Sequence, residues 1–298
     1  MSRLALTVAI PTYRREAVLV DTLRSLLAME PRAAEILVLD QTATHEPETS
    51  HALQAMADAG DIGWVRLTLP SIPAAMNQGL LRAACPLVLF LDDDIAPEAG
   101  LLAAHVQAHA AHPQGIIVAG RVIQPWEEDV AVANGDPFRF ASTQPRWIHE
   151  FMGGNFSVPR AIALELGGFD ENFVKVAYRF EAEFAHRFKA CGRQIRFEPA
   201  ACLHHLKVTA GGTRTFGDHL STWRPDHAVG AYYFALRTGT WRDFATRPLR
   251  SVTTRYHLRH PWRIVGTLFA ELSAMAWAAA LTLRGPKRLP DAATRTGP

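Results

Sequence analysis

The run Pro86–Asp94, PLVLFLDDD, constrains this chain more than any other stretch. Unbroken large apolar residues from Leu87 to Leu91 suit a strand buried on both faces, as in a parallel sheet covered by helices. The segments before it repeat the theme. Leu4, Leu6, Val8 and Ile10 alternate with small residues, and EILVLDQ (Glu35 to Gln41) and GWVRLTL (Gly63 to Leu69) also read as strands. Between them, Glu16 to Met29 carries Leu19, Leu23, Leu26 and Leu27 at helical spacing, and Leu53 to Ala59 and Ala74 to Ala84 read as helices. Strand alternating with helix over the first hundred residues predicts a doubly wound α/β sheet.

The pattern changes after Pro97. A helix over Glu98 to His112 and a strand over GIIVAGRVIQP precede a polar, aromatic stretch from Trp126 to Arg146 that reads as a long loop. A strand near Phe151 to Val158, helices over Arg160 to Leu166 and Arg179 to Cys191, and a strand over Arg193 to Pro199 follow. Thr209 to Thr215 is glycine-rich, and from His219 onward the pattern is helical. Residues 1–215 are therefore expected to form an α/β domain, split into 1–97 and 98–215, with 216–298 as a helical appendage.

In an open parallel sheet, ligands sit beyond the carboxyl ends of the strands. Those ends carry Thr12-Tyr13-Arg14, Asp40 and Asp92-Asp93-Asp94. Three adjacent carboxylates repel one another, and a divalent cation with a taste for hard oxygen ligands, Mg²⁺ or Mn²⁺, removes that penalty. The alternative is a solvated acidic turn before Pro97. His105, His109 and His112 share a helix face, but no cysteine or carboxylate completes a zinc set, so this reads as a solvated or interface face. Glu183 and Arg187, four apart on a helix, fit an ion pair.

A net charge of +2 argues against a protein built on nucleic-acid backbone contacts. Cys85, Cys191 and Cys202 form no CxxC pair, and the first strand meets Pro11 and charge too soon for a signal peptide, so a cytoplasmic location is expected. Ile264 to Leu283 is long and apolar enough to consider a bilayer span, but Glu271, Gly266 and many alanines weaken that reading. An alanine-rich helix packed on the body and a peripheral membrane helix between basic flanks (Arg255, Arg259, Arg263, Arg284, Lys287 and Arg288) remain open.

The order of TVAIPTYRR, EILVLDQ, AAMNQG, VLFLDDDIAP, GGNFSVPR, GGFDENF, FEAEFAHR and PAACLHHL before GGTR resembles the inverting family-two glycosyltransferases of the GT-A fold, over roughly residues 4 to 215. That resemblance implies a GT-A type mixed sheet and transfer of a sugar from a nucleotide diphosphate sugar donor to a glycan or lipid-linked acceptor, in bacterial polysaccharide or glycolipid synthesis. It implies that Pro11, Thr12 and Arg14 line the nucleotide pocket, that Asp40 recognises the base, and that Asn77 lies near ribose or diphosphate. Asp92, Asp93 and Asp94 would form the metal motif, with Asp94 the direct metal ligand, Asp93 on the ribose or the metal, and Asp92 and Asp93 serving the donor. Of His204 and His205, which a strand would point to opposite faces, the resemblance selects His205 for the metal, because Leu206 completes its usual His-Leu pair. Asn155 would stand near the acceptor. Glu181 takes the place of the family's general-base Asp, with Asp170 next in line. Arg214, with the Gly211-Gly212 backbone, would assist the departing diphosphate. A nucleotidyltransferase is the weaker enzyme alternative, since TYRR holds no glycine-rich phosphate loop. A non-catalytic sugar-nucleotide-binding or assembly subunit is the alternative from another class.

Overall fold

The computed structural model describes residues 3–127, 137–217 and 222–290. Its centre is a nine-stranded mixed sheet in the order β3-β2-β1-β4-β8-β6-β9-β5, with β7 pairing on β9. The strands are β1 (Arg3–Thr12), β2 (Arg32–Asp40), β3 (Gly63–Arg66), β4 (Leu87–Leu91), β5 (Ile95–Pro97), β6 (Ile117–Ile123), β7 (Arg146–Ile148), β8 (Asn155–Pro159) and β9 (Ile195–His205). Pairings among β1 to β4 are parallel, whereas β8 enters antiparallel between β4 and β6. The expected doubly wound mixed sheet is what the chain forms.

Side-chain alternation along the first strands builds a core on each face. Ala9, Leu37 and Leu39 belong to one cluster; Val8, Ile10, Ile36 and Val38 belong to the other. Helices α1 (Ala17–Leu27), α2 (Pro47–Asp58), α3 (Ile72–Arg82), α4 (Leu101–Ala110), α5 (Arg160–Glu165) and α6 (Phe180–Ala190) follow in chain order. Ser71 caps α3 by accepting from the Ala74 amide, and Pro73 stands in the first turn, where a missing N–H costs nothing.

Four further helices follow: α7 (Val229–Thr238), α8 (Trp241–Val252), α9 (Arg255–Arg259) and α10 (Ile264–Leu283). Tyr232 and Tyr233 of α7 and Ala274, Ala278 and Leu281 of α10 join the same core cluster as Phe169, Phe173 and Phe184. Asp170 ties this region down: it accepts from Tyr233 Oη at 2.8 Å and from the Lys287 amide at 3.0 Å, and Asn172 donates to Tyr233 Oη at 3.1 Å. Two elements escape the sequence reading. β5 and β7 are three residues each, too short for periodicity. β9 also runs on to His205 rather than ending near Pro199, so both histidines stand in a strand.

Candidate active site

The carboxyl ends of β1, β2 and β4 open on a cleft of about 190 Å³, lined among others by Pro11, Thr12, Gln41, Asp92, Lys175 and His205. Its charge centre is Arg15, 7% exposed. Arg15 donates from Nε to Asp93 at 3.0 Å and from Nη2 to Asp94 at 3.1 Å, and from Nη1 to the carbonyls of Val208 and Ala210. One guanidinium therefore joins the turn after β1, the acidic motif after β4 and the segment after β9. Thr22 of α1 fixes the motif's backbone: its hydroxyl sits 3.1 Å from the carbonyls of Asp93 and Ile95.

The three acids then divide. Asp93 turns to Arg15; burial pushes its carboxyl up to about 7 against that guanidinium's pull. Asp92 and Asp94 gather with His205, their ligand atoms within 4.8 Å of one another, a set that could hold a metal ion. Burial raises the Asp94 carboxyl, but His205, Arg15 and the Val208 amide outweigh it and hold it below the usual carboxylate value. His205 Nε2 lies 3.1 Å from Asp94 Oδ1, and its Nδ1 lies 3.0 Å from Gln124 Oε1, which orients the ring. His204 points to the other face, toward Glu98 at 3.2 Å, as strand alternation requires. Two carboxylates and an oriented imidazole fit Mg²⁺ or Mn²⁺. The expected pair of Asp94 and His205 is brought together, with Asp92 rather than Asp93 as the third member.

Glu181 stands in the first turn of α6 and approaches Gly153, next to the Gly154 that Asp92 approaches. A Cβ at Gly154 would lie 2.0 Å from Asp92 Oδ2, and one at Gly153 would lie 2.8 Å from Glu181 Oε1. A side chain at Gly154 would displace Asp92 and one at Gly153 would displace Glu181, so this glycine pair lets both carboxylates approach the same backbone. Burial raises Glu181 to about 7, with Asp92 adding repulsion and backbone amides of Glu181 and Gly153 opposing. Glu183, two residues on, is buried and bonded to Arg187 at 2.8 Å and to Arg288 at 2.7 Å. It is a structural ion pair, as the four-residue spacing predicts. Asp170 is likewise consumed, 1% exposed and held by Tyr233 and the Lys287 amide.

The loop before α6 is strained. Lys175, Ala177 and Arg179 adopt φ of 61°, 56° and 76°, a left-handed region costly to residues with a Cβ. Arg179 is held by Glu150 through two bonds of 2.9 Å, and Gly230 of α7 lets the Tyr178 backbone lie against the helix, where a Cβ would sit 2.2 Å from Tyr178 O. A larger cavity of about 520 Å³ begins at Tyr178 and Arg179 and runs between α7, α8, α9 and α10, away from the acidic motif.

Four expected site residues take other partners in the structure. Arg14, at φ 54°, is exposed, with its guanidinium 5.2 Å from the Tyr13 ring; the left-handed residue turns the chain so that Arg15 faces in. Asp40 is fully buried and saturated by His45 Nε2 and Trp64 Nε1, both at 2.9 Å, and the Thr42 amide at 2.8 Å; Gln41 lines the cleft in its place. Asn77 is fully buried, clamping the Phe169 backbone through bonds of 2.9 and 2.8 Å, while Met76 lines the cleft. Asn155 is also sealed in: it donates to the carbonyls of Arg121 and Ala201 at 3.0 Å and accepts from His105 at 2.9 Å. His105 and His109 are therefore not a solvated face. Both meet Ser157 Oγ at 2.8 Å, and burial holds them down at about 4 and about 3, so they are neutral core residues. Arg214 belongs to the short 3-10 helix Gly212–Phe216, and its side chain lies outside the described residues, as do residues 128–136 of the long loop. Lys175 and Arg15 are the site residues that the sequence reading missed. The doubled arginine of TYRR was a visible signal for Arg15, whereas nothing local marked Lys175.

The family model described as glycosyl transferase family 2 matches residues 7–167, over half the chain. No curated protein matches. Among solved structures, the fold is similar to GalNAc-T7 with UDP, GalNAc and Mn²⁺ (TM-score 0.62, 13% identity), covering 93% of this chain and 55% of that one, so this chain spans about half its length. It is also similar to the mannosyltransferase PcManGT of Pyrobaculum calidifontis in complex with GDP-Man and Mn²⁺ (0.58, 22%, covering 96% and 80%). A third is S. aureus TarS residues 1–349 in complex with UDP-GlcNAc (0.61, 14%, covering 93% and 84%).

Proposed function

The chain belongs to glycosyl transferase family 2, and we propose that it transfers a sugar from a nucleotide diphosphate donor to an acceptor hydroxyl in one displacement that inverts the anomeric centre. The observation that carries this reading is the nearness of a separate carboxylate to an acidic metal-type cluster: Asp92 packs against Gly154 and Glu181 against its neighbour Gly153. The donor's diphosphate belongs beside Asp92, Asp94, His205 and Lys175, with its nucleoside toward Pro11, Thr12 and Gln41. Mg²⁺ or Mn²⁺ would be held by Asp92, Asp94 and His205, and when bound it neutralises charge on the leaving diphosphate.

The protein's own groups do the rest. Glu181, with its carboxyl raised to about 7, is partly ionised at neutral pH and basic enough to accept the acceptor's hydroxyl proton. Arg15 holds Asp93 and Asp94 in place and binds the segment after β9 over the motif. In-line attack at the anomeric carbon by an acceptor on the Glu181 side would expel the nucleoside diphosphate on the opposite side, which is inversion. A glycan or lipid-linked acceptor of a bacterial surface polymer and a cytoplasmic site of action complete the proposal; three free cysteines agree with a reducing compartment.

The test is a panel of UDP- and GDP-sugars with Mn²⁺ or Mg²⁺, followed by nucleoside diphosphate release and the anomeric configuration of the product. A retained configuration would overturn the single displacement, and no release with any donor would overturn the transfer itself.

A further inference from the structure

We propose that the outer face of α9 and α10 is a docking surface for an anionic lipid bilayer, on which the helix lies flat rather than crossing. Along α10, Val265, Phe269, Leu272, Ala276, Ala279 and Leu283 are all exposed and recur at helical spacing, so one continuous apolar stripe faces solvent. Phe269 is 59% and Leu272 61% exposed, so the stripe presents large apolar side chains to solvent. Just before it, Leu258 is 79% and Trp262 66% exposed, and Trp262 ends an aromatic stack through His260 to Tyr256 with centroid distances of 5.2 and 4.6 Å. Exposed tryptophan beside aliphatic side chains suits the headgroup boundary.

Charge selects the occupant. Residues 241–290 hold nine Arg and Lys against two acids, Asp243 and Glu271, while the whole chain carries only +2. Arg255 and Arg259, flanking Leu258, are exposed. A second copy meeting through this segment would bring like charge to like, whereas an anionic lipid surface attracts it. The flank on the other side is different from the one the sequence suggests, because Lys287 and Arg288 are engaged with Glu171 and Glu183.

The buried face of α10 excludes a span. Ala270, Ala274, Ala278 and Leu281 are packed inside, and Glu271, 5% exposed, accepts from Tyr232 Oη and pairs with Arg247 at 3.2 Å. Although Pro261–Leu283 is long and apolar enough to cross a membrane, crossing would strip Glu271 of these partners in hydrocarbon, where a carboxylate is costly. The proposal is independent of the glycosyl-transfer reading, because it concerns binding to lipid alone.

The full chain should sediment with phosphatidylcholine vesicles containing phosphatidylglycerol, weakly with phosphatidylcholine alone, and less as salt rises. Arg255→Gln with Arg259→Gln should lower the partition coefficient about 30-fold, about fivefold per cation. Trp262→Ser with Phe269→Ser should lower it to background with an unchanged melting curve, since both side chains are exposed. Binding indifferent to lipid charge and salt, or unaltered by the apolar pair of substitutions, would overturn the proposal. So would bound protein that resists alkaline extraction, the mark of a span, or a dimer that dissociates on Phe269→Ser without any vesicle binding.

Discussion

On the proposed mechanism, replacing Glu181 by Gln removes the proton acceptor and little else, and two independent readouts follow from its raised pKa. With a carboxyl at about 7, roughly a tenth is ionised at pH 6 and about nine-tenths at pH 8. The kcat/KM of the unmodified protein should therefore rise about tenfold across that interval, with slope approaching one well below pH 7. Loss of a general base typically lowers rate by about 10²–10⁴, or about 3–5 kcal/mol of barrier, and the Gln variant should lose both that rate and the rising limb. Stability should move the other way. Because the folded-state pKa lies above the unfolded value of 4.5, the folded chain holds more protons between pH 4.5 and 7, so stability falls as pH rises through that window. Gln has no proton to lose, so Glu181→Gln should match the unmodified chain near pH 4 and exceed it at pH 8, by on the order of 1–3 kcal/mol. Donor affinity, read by calorimetry with a nucleoside diphosphate, should hardly change. A variant that keeps its rate within a few-fold, or a residual rate that keeps the limb near pH 7, would refute the assignment.

Four other outcomes can be checked. Asp94→Asn should abolish transfer and weaken Mn²⁺ binding in a direct titration, and full activity in EDTA would remove the metal from the mechanism. Arg15→Gln leaves Asp93 and Asp94 without their shared cation and should cost about 3–5 kcal/mol in denaturant unfolding, whereas exposed Arg14→Gln should stay within about 0.5 kcal/mol. Asn155→Ala strands His105 and two buried carbonyls and should cost about 2–4 kcal/mol, seen in thermal melts rather than as a selective rise in acceptor KM. Gly230→Ala should lower kcat and stability while nucleoside diphosphate affinity is kept, because its Cβ would collide with the Tyr178 carbonyl.

The sheet was legible because its strands carry their burial in their composition: β1, β2 and β4 are apolar wherever both faces are covered. The location of the chemistry was legible for the same reason, since strand ends can be counted. Which way each side chain turns was not. Thr12-Tyr13-Arg14-Arg15 names two arginines, and only the left-handed φ at Arg14 decides between them. Asp40 stands at the expected strand end, but His45 and Trp64, 5 and 24 residues away, take its carboxylate. Asn77 and Asn155 carry motif-like contexts, yet a fully hydrogen-bonded amide in the core is as compatible with those contexts as a ligand contact. Strand alternation required that only one of His204 and His205 face the site, and the His-Leu pair of the resemblance picked out His205. Glu181 and Glu183 were separable because Arg187 lies four residues from the second.

The helices after β9 are part of the site's mechanics rather than an attachment to it. Three left-handed residues with side chains, at roughly 1–2 kcal/mol each, make the Lys175–Arg179 loop one that would relax if left alone. Its restraints come largely from elsewhere: Gly230 accommodates Tyr178, Phe234 of α7 sits 4.5 Å beneath the Arg179 guanidinium, and Asp170 and Asn172 fasten the preceding turn to Tyr233. Glu181 follows this loop by two residues, so its position depends on α7, and α7 in turn packs on α10. The match to the family stops at residue 167, before the loop, Glu181 and these helices. Asp92 and Asp94 thus lie within the matched region, while Lys175, Glu181 and His205 lie beyond it. If α10 docks on a lipid surface, any shift of that helix against α7 bears first on the loop that holds Glu181 and only indirectly on Asp92, Asp94 and His205.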